Sequence, residues 1–313
     1  MGLYRITNSK LKLIGEKPLR LEHELQALTE ANLGTLFGLE FIATEFERNG
    51  LRIDTLAYDP ENNTFVVIEY KRDQSFSIVD QGFAYLSLML NNKAEFVLEY
   101  NAKKKSAKQR EDFDWSQVRV LFIAKSFTTH QQHAVNFNNM PFELWETTRF
   151  EDGLVQYRKV EASVRAESLE QMKNIASKTR KVAREVRQYT EEDVVGTGGQ
   201  SHDLYISLKE KITQTVSNLS PHPKKNYIGY RVADSWRNVI NIGKIRGGLT
   251  VHFTRSTPKD FDDPKRKLRT MEHAREYYRQ DVTTLDVRNE NDIRYAILVV
   301  QQAYDHFTRK FGA

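Results

Sequence analysis

The sequence has no cysteine among its 313 residues. Disulfide bonds and thiolate metal sites are therefore excluded, and the composition suits a reducing compartment. The sequence also lacks an apolar run long enough to span a bilayer, and its first residues, MGLYRITNSK, contain no signal-peptide core. These absences predict a cytoplasmic protein without a membrane partner.

The composition is otherwise that of a globular protein. Charged residues make up 28% of the chain and aromatic residues 11%, which excludes disordered and fibrous classes. The net charge of +5 is a weak bias toward polyanionic partners such as DNA. The length exceeds what one hydrophobic core usually serves, so two domains are expected.

The first predicted domain covers residues 1–160 and mixes helices with strands. Residues 1–20 predict a strand pair, and LEHELQALTEANLGTLFG predicts a helix that stops near Gly38. Alternating apolar residues predict strands in EFIATEFERNG, LRIDTLAYD and TFVVIEYK, and SIVDQGFAYLSLMLNN predicts a buried helix. Further strands are predicted for AEFVLEY, QVRVLFIAKSF and FELWETTRFEDGLVQYRKV.

The composition changes near Glu161. Residues 161–200 are polar, basic in the middle and glycine-rich at the end, which predicts a partly helical linker. Residues 201–313 predict a smaller α+β module that begins and ends with a helix. The apolar face of its first helix is predicted to comprise Leu204, Leu208, Ile212, Val216 and Leu219.

The strand TFVVIEYK is apolar enough to be central, yet it ends in a carboxylate and an ammonium. Alternation places Glu69 and Lys71 on one face. If Pro60 to Asn63 form a hairpin loop, Asp54 lies opposite Glu69 with Cβ atoms ~4.5–5.5 Å apart. Two carboxylates that close repel each other unless a proton or a cation lies between them.

A hard divalent cation would resolve this conflict. Mg²⁺ commonly binds one or two carboxylates together with substrate phosphate. Lys71 would point at the same spot, where it can act on the attacking water or on phosphate charge. The grouping of Asp54, Glu69 and Lys71 therefore indicates metal-assisted phosphodiester hydrolysis.

The alternative is an ordinary ion pair on an edge strand, because an Asp…Glu-x-Lys pattern also arises by chance. Two features favour catalysis. The strand is too apolar for a solvated edge, and the next helix carries Gln81 and Tyr85 one turn apart, so both can reach the same cleft. In the alternative, Tyr85 is a core residue and Gln81 a surface residue.

Together, RIDTLAYD, FVVIEYKR and IVDQGFAYL form an Asp…Glu-x-Lys pattern followed by Gln-x-x-x-Tyr. This pattern resembles the PD-(D/E)xK nuclease superfamily, above all its NucS-like endonuclease domain, over roughly residues 15–160. The resemblance implies a restriction-endonuclease-like α/β fold, a mixed sheet flanked by helices. It also implies Mg²⁺ or Mn²⁺ bound by Asp54 and Glu69. Ile53 stands where the superfamily name has proline, as is common in NucS-like members.

The resemblance also assigns roles to other residues. It implies that Lys71 is the catalytic lysine and that Gln81 and Tyr85 are active-site supports. A glutamate on the first helix often completes such sites. Glu22 is preferred for that role because the family pattern has a glutamate shortly before LQ, and Glu24 is the competitor.

These observations predict a metal-dependent DNA endonuclease acting in DNA repair or in defence against foreign DNA. Homodimerisation is a further expectation from the resemblance. Three alternatives stay open: a non-cleaving module that binds DNA or reads its modifications, an RNA-directed nuclease, and a scaffold in which the three charged residues form a structural ion cluster.

The C-terminal module resembles one that is sometimes labelled a predicted transport protein and has no assigned activity. Similar modules accompany nuclease domains, which implies a target-selecting role. Its basic and aromatic residues can bind phosphates and stack bases, or they form a solvated face over core aromatics. These residues are Lys224, Lys225, Tyr227, Tyr230, Arg231, Trp236, Arg237, Lys244 and Arg246.

The linker offers the same choice between a DNA-binding and a solvated basic segment. Its basic residues are Lys173, Lys178, Arg180, Lys181, Arg184 and Arg187.

Overall fold

The computed structural model describes residues 2–18, 22–71, 78–134, 141–160, 185–187, 189–232, 235–278 and 280–311. The chain divides into two compact units, which we call unit 1 (Met1–Arg187) and unit 2 (Gln188–Ala313). Most of the predicted linker lies outside the described residues, including Lys173, Lys178, Arg180, Lys181 and Arg184. The grip of these residues on DNA stays a prediction.

Unit 1 contains nine described strands and five described α-helices. The strands are β1 (Tyr4–Thr7), β2 (Lys10–Leu13), β3 (Glu16–Lys17), β4 (Glu40–Arg48), β5 (Leu51–Asp59), β6 (Thr64–Lys71), β7 (Arg119–Ala124), β8 (Phe142–Phe150) and β9 (Val155–Lys159). The helices are α1 (Glu22–Ala31), α2 (Leu33–Leu36), α3 (Ile78–Asn91), α4 (Lys93–Lys104) and α5 (Thr129–Ala134).

The main sheet of unit 1 is mixed. Its strand order is β3-β8-β7-β6-β5-β4, and β9 pairs with the outer side of β8, while β1 and β2 form a separate hairpin. The pairs β6–β7 and β7–β8 are parallel, and the remaining pairs are antiparallel. A hydrophobic core covers each face of the sheet. This confirms the predicted α/β class with a mixed sheet between helices.

Strand β6 lies at the centre of this sheet and is buried along its length except at Lys71. Phe65 and Val67 pack into the core that includes α3 and α4, and Val66 and Ile68 pack into the opposite core. A strand buried on both faces reads as a continuous apolar run. Tyr70 is 1% exposed and belongs to the second core, as alternation predicts for a packing residue.

The prediction of a strand at AEFVLEY is wrong, because this segment lies within helix α4. Phe96, Val97 and Tyr100 are buried, whereas Leu98 is 65% exposed. Phe96 and Tyr100 fit both a strand period and a helix period. A strand would place Leu98 on the same face as these two residues, whereas a helix places it on the exposed side, as observed.

Unit 2 is an antiparallel sheet with helices. Its strands are β10 (Leu219–Pro223), β11 (Ile228–Val232), β12 (Asn238–Ile245), β13 (Gly248–Thr254), β14 (Arg269–Thr270) and β15 (Val282–Val287). Its helices are α6 (Glu191–Val195), α7 (Gln200–Thr215), α8 (Ala274–Tyr278) and α9 (Glu290–Phe311). The strand order is β10-β11-β12-β13-β15-β14. A core of sheet, α7 and α9 side chains confirms the predicted α+β module.

The apolar face predicted for the first helix of unit 2 extends too far. Helix α7 ends at Thr215, so Val216 and Leu219 lie beyond it, and Leu219 begins β10. Both side chains are nevertheless buried. Within the described parts of both units, no helix combines the length and the apolarity needed to cross a membrane.

Candidate active site

The site begins with the pairing of β5 and β6 around residues 60–63. The register runs from Asp59↔Thr64 to Thr55↔Ile68, which places Asp54 and Glu69 at the next step, as predicted. Strand pairing stops before that step. Instead, the Tyr70 N–H donates a hydrogen bond to Asp54 Oδ2 at 3.0 Å. The Asp54 carboxylate thus accepts the hydrogen bond that a backbone carbonyl would accept in a regular strand pair.

Strand β4 is irregular beside the same residue. The pairs Thr44↔Thr55 and Phe46↔Ile53 enclose Glu45, which has a φ of 50°. A non-glycine residue in this left-handed region costs ~1–2 kcal/mol and persists only where its surroundings hold it. Strand β4 therefore departs from regular strand geometry at Glu45, the residue that lies beside Asp54.

Helix α1 holds this irregular segment through one side chain. Gln26 Nε2 lies 2.9 Å from the Asp54 carbonyl oxygen and 3.0 Å from Thr44 Oγ1, both of which accept hydrogen bonds. It also lies 3.5 Å from Glu45 Oε1. Gln26 therefore links α1 to both strands at the position of Asp54.

The Glu69 carboxylate is buried, with 5% of the residue exposed, and three side chains donate to it. Lys71 Nζ and Gln81 Nε2 donate to Oε1 at 2.8 and 2.6 Å. The Tyr85 hydroxyl donates to Oε2 at 2.7 Å. A buried charge needs such compensation, because an unpaired one is costly. The structure thus brings together Glu69, Lys71, Gln81 and Tyr85 of the predicted set.

Gln81 and Tyr85 occupy successive turns of α3 and also contact each other. Gln81 Nε2 lies 2.9 Å from the Tyr85 oxygen, which is 3.0 Å from the Arg52 carbonyl. Burial, and next the charge of Glu69, raises the pKa of the Tyr85 hydroxyl. Tyr85 therefore stays protonated and remains a donor to Glu69.

Asp54 is in a less compensated environment. Burial, followed by the negative charge of Glu69, raises its pKa to about 7, although the Tyr70 N–H acts in the opposite direction. Glu45 adds to the rise, and the Lys71 ammonium opposes it. Ionised Asp54 and Glu69 therefore repel each other, and either a proton on Asp54 or a bound cation would relieve the repulsion.

Two carboxylates are the groups of this site that can hold a cation. Across the described residues, no group of three or more His, Cys, Asp or Glu side chains is arranged to hold a metal. Asp54 and Glu69 nonetheless offer carboxylates from adjacent strands. Mg²⁺ usually binds through one or two carboxylates, substrate phosphates and water. Asp54 and Glu69 are thus the residues that can hold such an ion, and the binding of Mg²⁺ or Mn²⁺ stays a prediction.

The first-helix glutamate is less well defined. Glu22, Gln26 and Glu30 follow one another at intervals of four residues, so they share one stripe of α1. Gln26 contacts the Asp54 backbone, and Glu30 accepts a hydrogen bond from Thr55 Oγ1 at 2.6 Å. Glu22 is exposed one turn before Gln26. Glu24 lies off this stripe, and the role of Glu22 stays a prediction.

Two residues of this region were missed by the sequence analysis. Gln26 could have been found from its spacing of four to Glu22 and Glu30. Glu45 carries no such signal, because nothing in a strand-like EFIATEFER marks one glutamate as left-handed. Glu45 also pairs with Arg52 at 2.8 Å near the surface.

Several of the basic and aromatic residues of unit 2, for which DNA contact was one alternative, make contacts within the unit. Tyr230 is 1% exposed in the core, and its hydroxyl lies 3.1 Å from that of Tyr205. Of the two alternatives for this residue, Tyr230 therefore follows the core aromatic and not the base-stacking one. Lys244 donates to the Val195 carbonyl at 3.1 Å and Arg231 to Asn238 Oδ1 at 2.6 Å.

No family model matches the sequence. An uncharacterised protein of Haemophilus influenzae is 32% identical over 307 residues, which cover 97% of this chain and 99% of that protein. The chain therefore belongs to the family of this Haemophilus influenzae protein.

Two solved structures resemble part of the chain. A repair endonuclease from Pyrococcus abyssi is 19% identical with a TM-score of 0.25, over 42% of this chain and 49% of its own. EndoMS in a complex with double-stranded DNA is 15% identical with a TM-score of 0.24, over 46% of this chain and 65% of its own. The chain thus matches about half of the first protein and 65% of the second.

Proposed function

We propose that unit 1 is a metal-dependent nuclease that hydrolyses phosphodiester bonds in DNA. One observation carries the proposal: Asp54 stands beside a buried Glu69 on which Lys71, Gln81 and Tyr85 converge. An ordinary ion pair needs one cation, whereas this carboxylate is held by three donors next to a second carboxylate. In such an arrangement the two carboxylates can bind a cation, and the cation and Lys71 can stabilise the negative charge that develops when a phosphodiester is attacked.

Asp54 and Glu69 would hold Mg²⁺ or Mn²⁺. When bound, the cation offsets negative charge on the phosphate oxygens and lowers the pKa of an attacking water. The protein's own contribution is to keep the two carboxylates adjacent although they repel each other. The Tyr70 N–H fixes Asp54, and Tyr85 fixes Glu69.

Lys71 and Gln81 would act on the reacting groups. Both reach Glu69 Oε1, so a substrate phosphate near that oxygen is within reach of an ammonium and an amide. The ammonium stabilises charge on the phosphate, and the amide orients the water by a hydrogen bond. The attacking water forms a bond to phosphorus and gives up one proton. The P–O ester bond breaks, and the leaving oxygen takes up one proton.

DNA repair or defence against foreign DNA is the setting we propose, and a homodimer is the assembly we propose. Both come from the resemblance of the Asp…Glu-x-Lys and Gln-x-x-x-Tyr motifs to the PD-(D/E)xK superfamily. Neither depends on the geometry of the site.

The test incubates the full chain with branched, mismatched, single-stranded and modified DNA and with RNA, with and without Mn²⁺. We expect wild type to cut at least one DNA. Asp54→Asn and Glu69→Gln should each lower the rate at least ~100-fold, while binding stays within about threefold, because the carboxylates serve the metal and the phosphate charge. Glu47→Gln, which neutralises an exposed carboxylate on β4, is the matched control.

Cutting that survives both site substitutions would refute the assignment of the site. Cutting of RNA alone would make the protein an RNA-directed nuclease. If wild type binds DNA but cuts nothing with or without Mn²⁺, the non-cleaving reader becomes the better description.

A further inference from the structure

Several basic side chains of unit 2 are neutralised by carboxylates. Lys267 pairs with Asp292 at 2.6 Å, and Arg275 pairs with Asp281 at 2.6 Å. Arg237 and Lys310 differ, since neither makes an ion pair within the described part of the chain. Their ammonium and guanidinium groups lie over aromatic rings instead.

The rings belong to Trp236 and Phe311. The Arg237 guanidinium carbon lies 4.2 Å from the centre of the Trp236 ring and 4.9 Å from that of Phe311. The Arg255 guanidinium is 5.7 and 5.9 Å from the same two rings. Lys310 Nζ is 5.7 Å from Phe311. We call these five residues the cation–aromatic cluster.

The fold brings the cluster together from three parts of unit 2. Trp236 and Arg237 directly precede β12, and Arg255 directly follows β13. These strands are antiparallel neighbours, so the start of one meets the end of the other. Phe311 is the last residue of α9. The cluster therefore lies where two strand ends and a helix end meet.

Arg255 is held in place by its backbone and side chain. Its φ of 56° is in the left-handed region, and its Nη1 donates to the Asn238 carbonyl oxygen at 3.2 Å. A strained non-glycine residue persists where the surrounding structure fixes it, often at a binding site. The turn and this hydrogen bond therefore fix the position of the Arg255 guanidinium relative to the two rings.

The cluster is accessible and contains three basic side chains. Trp236, Arg237, Arg255 and Phe311 are half-buried, and Lys310 is exposed. The Arg237 side chain is half-buried, so its charge is only partly solvated, and this burial lowers its pKa. Cation–π contacts compensate part of that cost. An anion bound at the Arg237 guanidinium would compensate the remainder.

We propose that the cation–aromatic cluster binds single-stranded nucleic acid, with phosphates at Arg237 and Lys310 and a base stacked near Trp236. Non-specific single-strand sites combine cations that follow the backbone with aromatic rings that stack bases. An acidic peptide would use the cations but not the flat rings. The proposal is independent of whether unit 1 cuts DNA.

The test measures binding of a fluorescein-labelled 20-nucleotide oligo-dT to the full chain by anisotropy, in EDTA and at several salt concentrations. Arg237→Gln combined with Lys310→Gln should raise the Kd about tenfold and reduce the salt slope by about 1.4, since single strands release ~0.7 counterions per phosphate contact. Arg269→Gln combined with Arg275→Gln removes the same charge from two exposed ion pairs and should change the Kd less than twofold.

A Trp236→Leu variant separates stacking from charge. We expect a Kd about tenfold higher with an unchanged salt slope, because a base loses its stacking partner while the phosphate contacts remain. Thermal melts would confirm that each variant is folded.

Three results would overturn the proposal. The first is wild-type affinity in the Arg237/Lys310 variant, and the second is an equal loss in the Arg269/Arg275 control. The third is competition by a glutamate 20-mer as effective as that of unlabelled oligo-dT, which would identify an acidic peptide as the ligand.

Discussion

At the scale of single residues, Glu69 is distinguished by the chemistry of its three donors. Lys71 supplies charge, whereas Gln81 and Tyr85 supply fixed dipoles from one helix face. A carboxylate held in this way keeps one orientation, because each oxygen has its own donors. Removing one donor should therefore change the orientation of the Glu69 carboxylate without unfolding the protein.

Tyr85→Phe tests this point. The variant should lose about 2 kcal/mol of unfolding free energy, the usual worth of a hydrogen bond to a charged group, and at least ~10-fold in cleavage rate, because one Glu69 oxygen is released. Tyr157→Phe is the matched control, since its hydroxyl lies 2.9 Å from Thr29 Oγ1 among different residues. It should lose about 1 kcal/mol of unfolding free energy, the usual worth of a hydrogen bond between neutral groups, and no activity. Chemical denaturation and cleavage rates measure both, and equal activities in the two variants would contradict the expectation.

Asp54 should make stability depend on pH when no divalent cation is present. Its pKa of about 7 in the fold exceeds the ordinary value of 3.8, so the folded state binds the proton more tightly. The resulting stabilisation is complete below pH 3.8 and is lost as pH rises through about 7. Between pH 5 and 8, wild type should lose about 1–2 kcal/mol relative to Asp54→Asn, allowing for partial solvent screening.

Denaturant titrations in EDTA at pH 5 and pH 8 measure this difference. A constant gap between the two proteins would show that Asp54 titrates as an ordinary exposed carboxylate.

At the scale of elements, helix α1 matters through Gln26. This side chain links the helix to Asp54 and Thr44 where β4 is irregular. Gln26→Leu should lower kcat about tenfold and leave KM within twofold, because Gln26 positions a residue and binds no substrate. Gln156→Leu, an exposed glutamine on β9, should leave both constants unchanged. A rise in KM at constant kcat would indicate a substrate contact instead.

The sequence predicted the elements that build the site, for physical reasons. Strands β4, β5 and β6 alternate or are continuously apolar, and the loop at residues 60–63 fixes their register. The i,i+4 spacing of Gln81 and Tyr85 predicted that both can reach one cleft, and the structure adds that both contact Glu69. Helix α4 was not predictable, because Phe96 and Tyr100 fit both periods. The left-handed Glu45 was not predictable either, because its conformation depends on β5 and α1.

At the scale of the whole molecule, each unit has its own core. We expect fragments 1–187 and 188–313 each to unfold cooperatively, since a domain with a complete core can fold alone. The cleavage activity should remain in fragment 1–187, which contains Asp54 through Tyr85. Circular dichroism melts and cleavage assays of the two fragments test this, and a fragment 1–187 that is folded but inactive would show that unit 2 contributes to the reaction.

The hydrogen bond from the Tyr70 N–H to Asp54 Oδ2 gives the protein a built-in reporter. In most of a sheet, an amide is protected by the neighbouring strand and reports on strand separation. The Tyr70 amide is protected by an acidic side chain instead. Its NMR cross-peak and its deuterium exchange should therefore follow protonation of Asp54 and the arrival of a cation. One amide signal could then titrate the candidate site directly, in a protein that is turning over no substrate.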